Sequence, residues 1–191
     1  MTVRLHGWLA LAAWLVLALP AHAEQAWPID PGQSHATFSV RKFWFAHVRG
    51  DFPGLRGRLQ RGGVSGPGLA EVHAVIDVAG LAIDDAGDRA RALGPEFFDA
   101  AHYPRIRFDS EPFPLAELAS GGVLRGMLEL HGQRRPVSFM LLPSACPRTP
   151  LACPVRVRGS LSRSAFGMRA WRGTLSDRVE LDMQIHLDPS R

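Results

Sequence analysis

The chain has 191 residues, 46% of them hydrophobic, with 19 glycines, 15 prolines and a formal net charge of +4. That length allows one domain with a sizeable core, and the glycine and proline content with 8% aromatics suits an all-β chain rich in turns. The 22 basic residues include a single lysine, Lys42, and the arginines are scattered with no run of five or six, so the electrostatic footprint of a nucleic-acid binder is missing.

The N-terminus reads as an export signal. Arg4 supplies a charged start, residues 8–19 are apolar, and Ala21-His22-Ala23 has the small-x-small form of a cleavage site. The apolar run is short for a membrane span, and no cysteine near the cleavage point offers a lipid anchor. Cleavage after Ala23 is expected, leaving residues 24–191 as one exported domain, periplasmic or secreted, with no integral membrane span; an uncleaved anchor is the alternative reading. The only cysteines, Cys146 and Cys153, are expected to pair in an oxidising compartment around the loop PRTPLA. So short a loop gains on the order of 2–3 kcal/mol at most from closure.

Residues 24–33 form a lead-in ending in the turn Asp30-Pro31-Gly32. Residues 34–41 alternate, with Ala36, Phe38 and Val40 on one face, which predicts a first strand. KFWFAH at 42–47 lacks clean periodicity and fits either a strand continuation or a helical turn. Residues 55–60 read as a short strand, 61–68 as a flexible glycine-rich loop, and 71–78 as a strand with Val72, Ala74, Ile76 and Val78 on one face.

Asp84 or Asp85 caps a helix running to Leu93, which Gly94-Pro95 stops. The stretch FFDAAHYPRIRF follows: two aromatics, a polar turn and the strand Arg105–Ser110. We read it as the place where a helix closes one end of a barrel and returns the chain to the wall. Residues 112–121 are predicted to be loop with a helical turn at 115–119. Residues 123–130 and 136–142 then form a hairpin joined by His131-Gly132-Gln133-Arg134-Arg135. The second of these strands is apolar on both sides (Phe139 and Leu141 against Met140 and Leu142), which predicts cover on each. Residues 155–161 alternate, 162–172 are loop, and 179–187 show the cleanest alternation, with Val179, Leu181, Met183, Ile185 and Leu187 facing in. The sum is an antiparallel β-barrel of about eight strands with a short helical insertion capping one end. Such a barrel is either packed solid or hollow enough for one slender ligand.

Ile29-Asp30 with Ser34-His35 and Phe38; Gly50-Asp51-Phe52 with Gly57; Phe97-Phe98-Asp99-Ala100 with Tyr103-Pro104 and Phe108-Asp109-Ser110; Gly126, Leu128, Leu130, His131-Gly132 and Pro136-Val137; and Arg163-Ser164-Ala165-Phe166-Gly167-Met168 with Asp177-Arg178-Val179 together resemble the YceI-like family of exported lipid-binding proteins. The family's helix carries an Arg-Asp pair before a His-Leu, and here the chain departs from it with Asp88-Arg89-Ala90-Arg91-Ala92-Leu93. The resemblance implies a lipocalin-like barrel holding a polyisoprenoid chain, such as an isoprenoid quinone or polyprenyl phosphate, with no other cofactor required.

On that reading the apolar lining falls to Phe38, Val40, Phe43, Phe45, Phe52, Ile76, Phe97, Phe98, Phe108, Leu128, Phe139 and Phe166, each of which also reads as packed core. His35, Arg89, Arg91 and Arg163 are the polar candidates for a head group. Each has a plainer reading, a structural hydrogen bond to a turn or to Asp30 for His35 and a solvated surface charge for the arginines. No metal site is expected, since C-x-x-C, H-x-H and H-x-x-x-H are absent from residues 24–191. No catalytic site is expected either: Ser34 and His35 are strand neighbours that point apart, and there is no G-x-S-x-G elbow. Two other readings stand beside the carrier. One is a solid barrel docking a membrane redox protein through Trp44, Trp171 and arginine-rich rims, and the other is a hydrolase.

Overall fold

The structure is a computed structural model and describes residues 25–62 and 66–188. The expected signal peptide, its cleavage point after Ala23, and part of the predicted 61–68 loop lie outside the described residues.

In chain order the elements are β1 (Gln25–Pro28), β2 (His35–Lys42), β3 (Ala46–Pro53), β4 (Arg56–Gly62), β5 (Gly66–Asp77), α1 (Ala86–Leu93), β6 (Arg105–Ser110), β7 (Phe113–Pro114), α2 (Glu117–Ser120), β8 (Gly122–Leu130), β9 (Gln133–Leu141), β10 (Val155–Ser162) and β11 (Leu175–Ile185). One antiparallel sheet takes them in the order β1-β4-β5-β6-β8-β9-β10-β11-β2-β3, with β7 on β5. The sheet curls into a half-barrel whose inner face carries the alternating apolar residues. Its two ends are drawn together by single links. Ile29 bridges Leu187 and donates its N–H to Gly57 O, and Asp51 of β3 bridges Ala82.

There are eleven strands among the described residues where the sequence suggests about eight. β1 has four residues without alternation, yet it pairs with β4 from Gln25↔Arg61 to Pro28↔Arg58 and buries Trp27. KFWFAH resolves as the end of β2, a turn and the start of β3, with Phe43 in left-handed backbone (φ 55°) reversing the chain. The β8–β9 connection is tighter than the expected five-residue loop. His131 (φ 51°) and Gly132 (φ 68°) alone make the turn, so Leu130 pairs with Gln133. Two consecutive positive φ values match the right-handed twist of a hairpin.

Pro136 therefore lies inside β9 rather than at its start. It is accommodated because β10 pairs β9 only at Leu141↔Val157 and Met140↔Arg158, so β9 runs as an edge by Pro136. The cover expected on both sides of this strand is present on one: Met140 stands outside, 59% exposed. Between β9 and β10 the described chain joins Cys146 to Cys153.

One packed cluster, around Trp27, Leu59, Phe113, Leu118 and Leu141, fills the end of the half-barrel that α2 covers. A second, around Phe38, Val40, Phe52 and Leu81, packs against Ala92 and Leu93 of α1 and against Phe98. The interior space lies between these ends.

Candidate functional site

A cavity of about 200 Å³ runs through the half-barrel, lined almost wholly by apolar side chains from β2, β5, β6, β8 and β11. Register builds it. Ala36, Phe38 and Val40 of β2 face inward directly opposite Met183, Leu181 and Val179 of β11. Two aromatic groups shape the walls. Phe38, Phe52 and Phe98 form a three-ring cluster with centroids 5.4–5.9 Å apart, and Phe108 meets Phe139 at 5.5 Å. The rings lie back against glycines. A Cβ on Gly50 would come within 2.4 Å of Phe38, and one on Gly159 within 2.5 Å of Phe139. No side chain could stand at those wall positions with the rings where they are, and the folded-back rings leave the centre open.

The charged side chains of the lining, Arg163 apart, gather at one end, under α1. Asp85 caps α1 by accepting from Asp88 N at 2.7 Å. Asp88 Oδ1 then takes Arg91 Nη1 at 2.7 Å and Lys42 Nζ at 3.5 Å. The Arg91 guanidinium sits 4.9 Å from the Trp171 ring centroid, a cation–π distance. Lys42, Asp88, Arg91 and Trp171 all line the cavity, so the mouth has a charged rim carrying two cations and one carboxylate. On its other side α1 is tied down by Arg89, which donates to Leu81 O at 2.7 Å and Ala79 O at 3.1 Å. Among the described residues no three of His, Cys, Asp and Glu come together to hold a metal, and no helix is long and apolar enough to cross a membrane.

The family model for the YceI-like domain matches residues 27–187. The chain belongs to the YceI-like family. Among solved structures it is similar to BcnA of Burkholderia cenocepacia (19% identity, TM-score 0.66, covering 82% of this chain and 98% of that one). It is also similar to a polyisoprenoid binding domain from Saccharophagus degradans implicated in plant cell wall breakdown (17%, 0.62, 83% and 95%). The YCEI protein of Campylobacter jejuni matches at 15% identity and a TM-score of 0.57, over 78% and 89%. At these identities the likeness is one of fold. No protein of curated function matches the chain.

In this YceI-like half-barrel Phe38, Val40, Phe52, Ile76, Phe97, Phe98, Phe108, Leu128 and Phe139 line the cavity, as do Arg91 and Arg163. Five of the sequence candidates do not. Phe43 and Phe45 are 50% and 84% exposed on the β2–β3 turn, because the reversal at Phe43 carries them away from the wall. Phe166 is 2% exposed and packs behind the wall against Leu128, Leu130 and Met168. His35 lies on the face of β2 opposite Ala36 and Phe38. Its neighbour Ser34 makes the turn contact instead, accepting from His186 N at 2.9 Å, while Asp30 accepts from Gln33 Nε2 at 2.7 Å and Gly32 N at 2.8 Å. Arg89 is spent on the two carbonyls beneath α1.

Arg163 is no surface charge. It is 3% exposed and donates to the carbonyls of Ser176 (2.9 Å), Met168 (2.8 Å), Ala170 (2.6 Å) and Leu175 (3.0 Å). Burial pushes its pKa below the ordinary arginine value, and Asp177 opposes that shift. Four of its five N–H donors are thus used in shaping the 168–176 loop. The sequence pattern does not mark Lys42 or Asp88 as site residues, and marks Trp171 only as a docking residue. The one lysine of the chain at a strand end, next to an aromatic run, was the available signal for the first. The alternation of β11 turns Leu181 and Met183 inward, and in the structure they form cavity wall.

Proposed function

We propose that this YceI-like protein is an exported, non-catalytic binding protein that holds an isoprenoid lipid, with the hydrocarbon in the cavity and the polar head at the Lys42–Asp88–Arg91 rim. The observation that carries this reading is the separation of polarity: an apolar interior, with its solvent-facing charges gathered at one mouth. Each buried CH₂ contributes roughly 0.8 kcal/mol. A five-carbon unit is thus worth roughly 4 kcal/mol, and four units offset even the upper end of an association cost of about 4–15 kcal/mol. Among the described residues the charged side chains that line the cavity are engaged with one another or with backbone carbonyls: Asp88 with Lys42 and Arg91, and Arg163 with four carbonyls. The polyisoprenoid binding domain of S. degradans, whose fold this chain shares, supports the ligand class. A quinone and a polyprenyl phosphate both fit the shared chemistry of an oxygen-bearing head on a branched chain. The rim's two cations favour the phosphate. The Cys146–Cys153 bridge and the Arg4-to-Ala23 pattern support export with cleavage after Ala23.

Organic-solvent extraction of the purified protein followed by mass spectrometry tests the proposal. The expected result is an isoprenoid at near-stoichiometric amount. Repeated preparations that yield none, together with no uptake of added polyprenyl phosphate or ubiquinone, would end it. N-terminal sequencing of the exported protein is expected to begin at Glu24.

A further inference from the structure

Beside the cavity mouth the chain displays aromatic rings to solvent, of which only Trp171 is partly covered, by the Arg91 guanidinium. Trp44 is 92% exposed, Phe45 84%, Phe43 50% and Trp171 41%. They stand on two adjoining turns. Phe43 N donates to Thr174 O at 2.6 Å, and Thr174 N in turn donates to Trp171 O at 3.0 Å. Phe43 (φ 55°) and Trp171 (φ 59°) both hold left-handed backbone, a conformation that bulky side chains rarely adopt and that persists where the surroundings enforce it. The fold thus expends backbone strain to present rings outward at the rim. The same turns are basic: RKFWFAH (41–47) and RAWRGTL (169–175) hold no acidic residue, and besides Lys42, which pairs with Asp88 of α1, they carry Arg41, Arg169 and Arg172.

We propose that this pair of turns docks the protein on an anionic lipid membrane, with Trp44 and Phe45 entering the headgroup layer and the cavity mouth facing the bilayer. Trp and Phe on a basic element match the chemistry of that interface. A protruding hairpin tip is also a poor match to the broad, flat patch a stable protein partner needs. The docking stands without the carrier proposal. Its consequence, that a lipid passes between bilayer and cavity without crossing water, rests on it.

The test is co-sedimentation of the exported protein with vesicles of equal phosphatidylglycerol and phosphatidylcholine, and with phosphatidylcholine alone. The unaltered protein is expected to bind the anionic vesicles, several-fold less at 0.5 M salt, and tenfold or more weakly once Trp44→Ser and Phe45→Ser are combined. Both residues lie outside the cavity lining, so the double variant is expected to keep its circular dichroism spectrum and any extractable lipid. Equal vesicle binding by the unaltered and double-variant proteins, or none by either, would overturn the proposal. So would a dimer seen by light scattering that the double variant abolishes, since the rings would then be covered by a second copy. Vesicle binding by protein that neither yields an isoprenoid on extraction nor takes up added polyprenyl phosphate or ubiquinone would leave the docking intact and remove the carrier reading instead.

Discussion

Arg163 carries more of the local structure than any other polar residue at the cavity. Its guanidinium gathers four carbonyls from residues 168–176, which would otherwise lose their side-chain donors in a partly buried setting. Arg163→Met fills the space but removes every donor. It is expected to lower the unfolding free energy by on the order of 3–5 kcal/mol, read from the urea midpoint. Arg163→Lys is expected to recover little, since one ammonium cannot replace a planar fork. A midpoint unchanged in Arg163→Met would show that the carbonyls find other partners. Asp177, beside it, accepts from the Ser162 hydroxyl and from Ser164 N at 2.9 Å. These bonds, Ser162 first, hold its pKa below the ordinary aspartate value. A depressed carboxylate contributes stability above the unfolded-state value and loses it as pH falls through the folded one. Stability should therefore drop as pH falls below about 4, and Asp177→Asn should flatten that drop in acid urea titrations. A slope identical to the unaltered protein's would count against the assignment.

Among the elements, α1 depends most on side-chain contacts for its place. It has eight residues, none fully buried, and a helix so short is marginal on its own. Side chains hold it: Arg89 to the carbonyls of Ala79 and Leu81, Asp88 to Lys42 and Arg91. Arg89→Ala is expected to speed amide hydrogen exchange across 86–93 severalfold and to leave β8–β9 exchange unchanged. Equal exchange across 86–93 in the variant and the unaltered protein would show that Arg89 does not hold α1 in place. α1 was legible in the sequence because a cap, an alanine-rich run and Gly94-Pro95 mark it locally. β11 was legible because it alternates without interruption. β1 and β3 were not, since β1 is four residues held by its partner and β3 places Gly50 where an inward side chain would show its period. The two-residue turn at His131 was missed because a histidine at positive φ leaves no mark in composition. The burial of Arg163 was hidden because its four carbonyls converge only in the fold.

For the molecule as a whole, the open question from sequence is whether the interior is hollow, and alternation does not answer it. Phe38, Phe108 and Phe139 read the same whether they plug a barrel or line one. The difference lies in Gly50 and Gly159, which give the rings of Phe38 and Phe139 room to lie against the wall. A hollow interior ties stability to occupancy, because a ligand bound only by the folded state stabilises it by RT ln(1 + [L]/Kd). At a hundredfold excess over Kd that is about 2.7 kcal/mol, or roughly 5–10 °C in melting temperature for a chain of this size. Delipidated protein is expected to melt lower by that margin and to recover on adding a polyprenyl phosphate. Gly159→Val, which forces the Phe139 ring toward the centre, is expected to shrink the recovery by more than half while the delipidated protein still melts cooperatively. If that variant recovers fully, the hydrocarbon does not pass Phe139, and the chain must lie in the half of the cavity bounded by Phe38, Phe52 and Phe98.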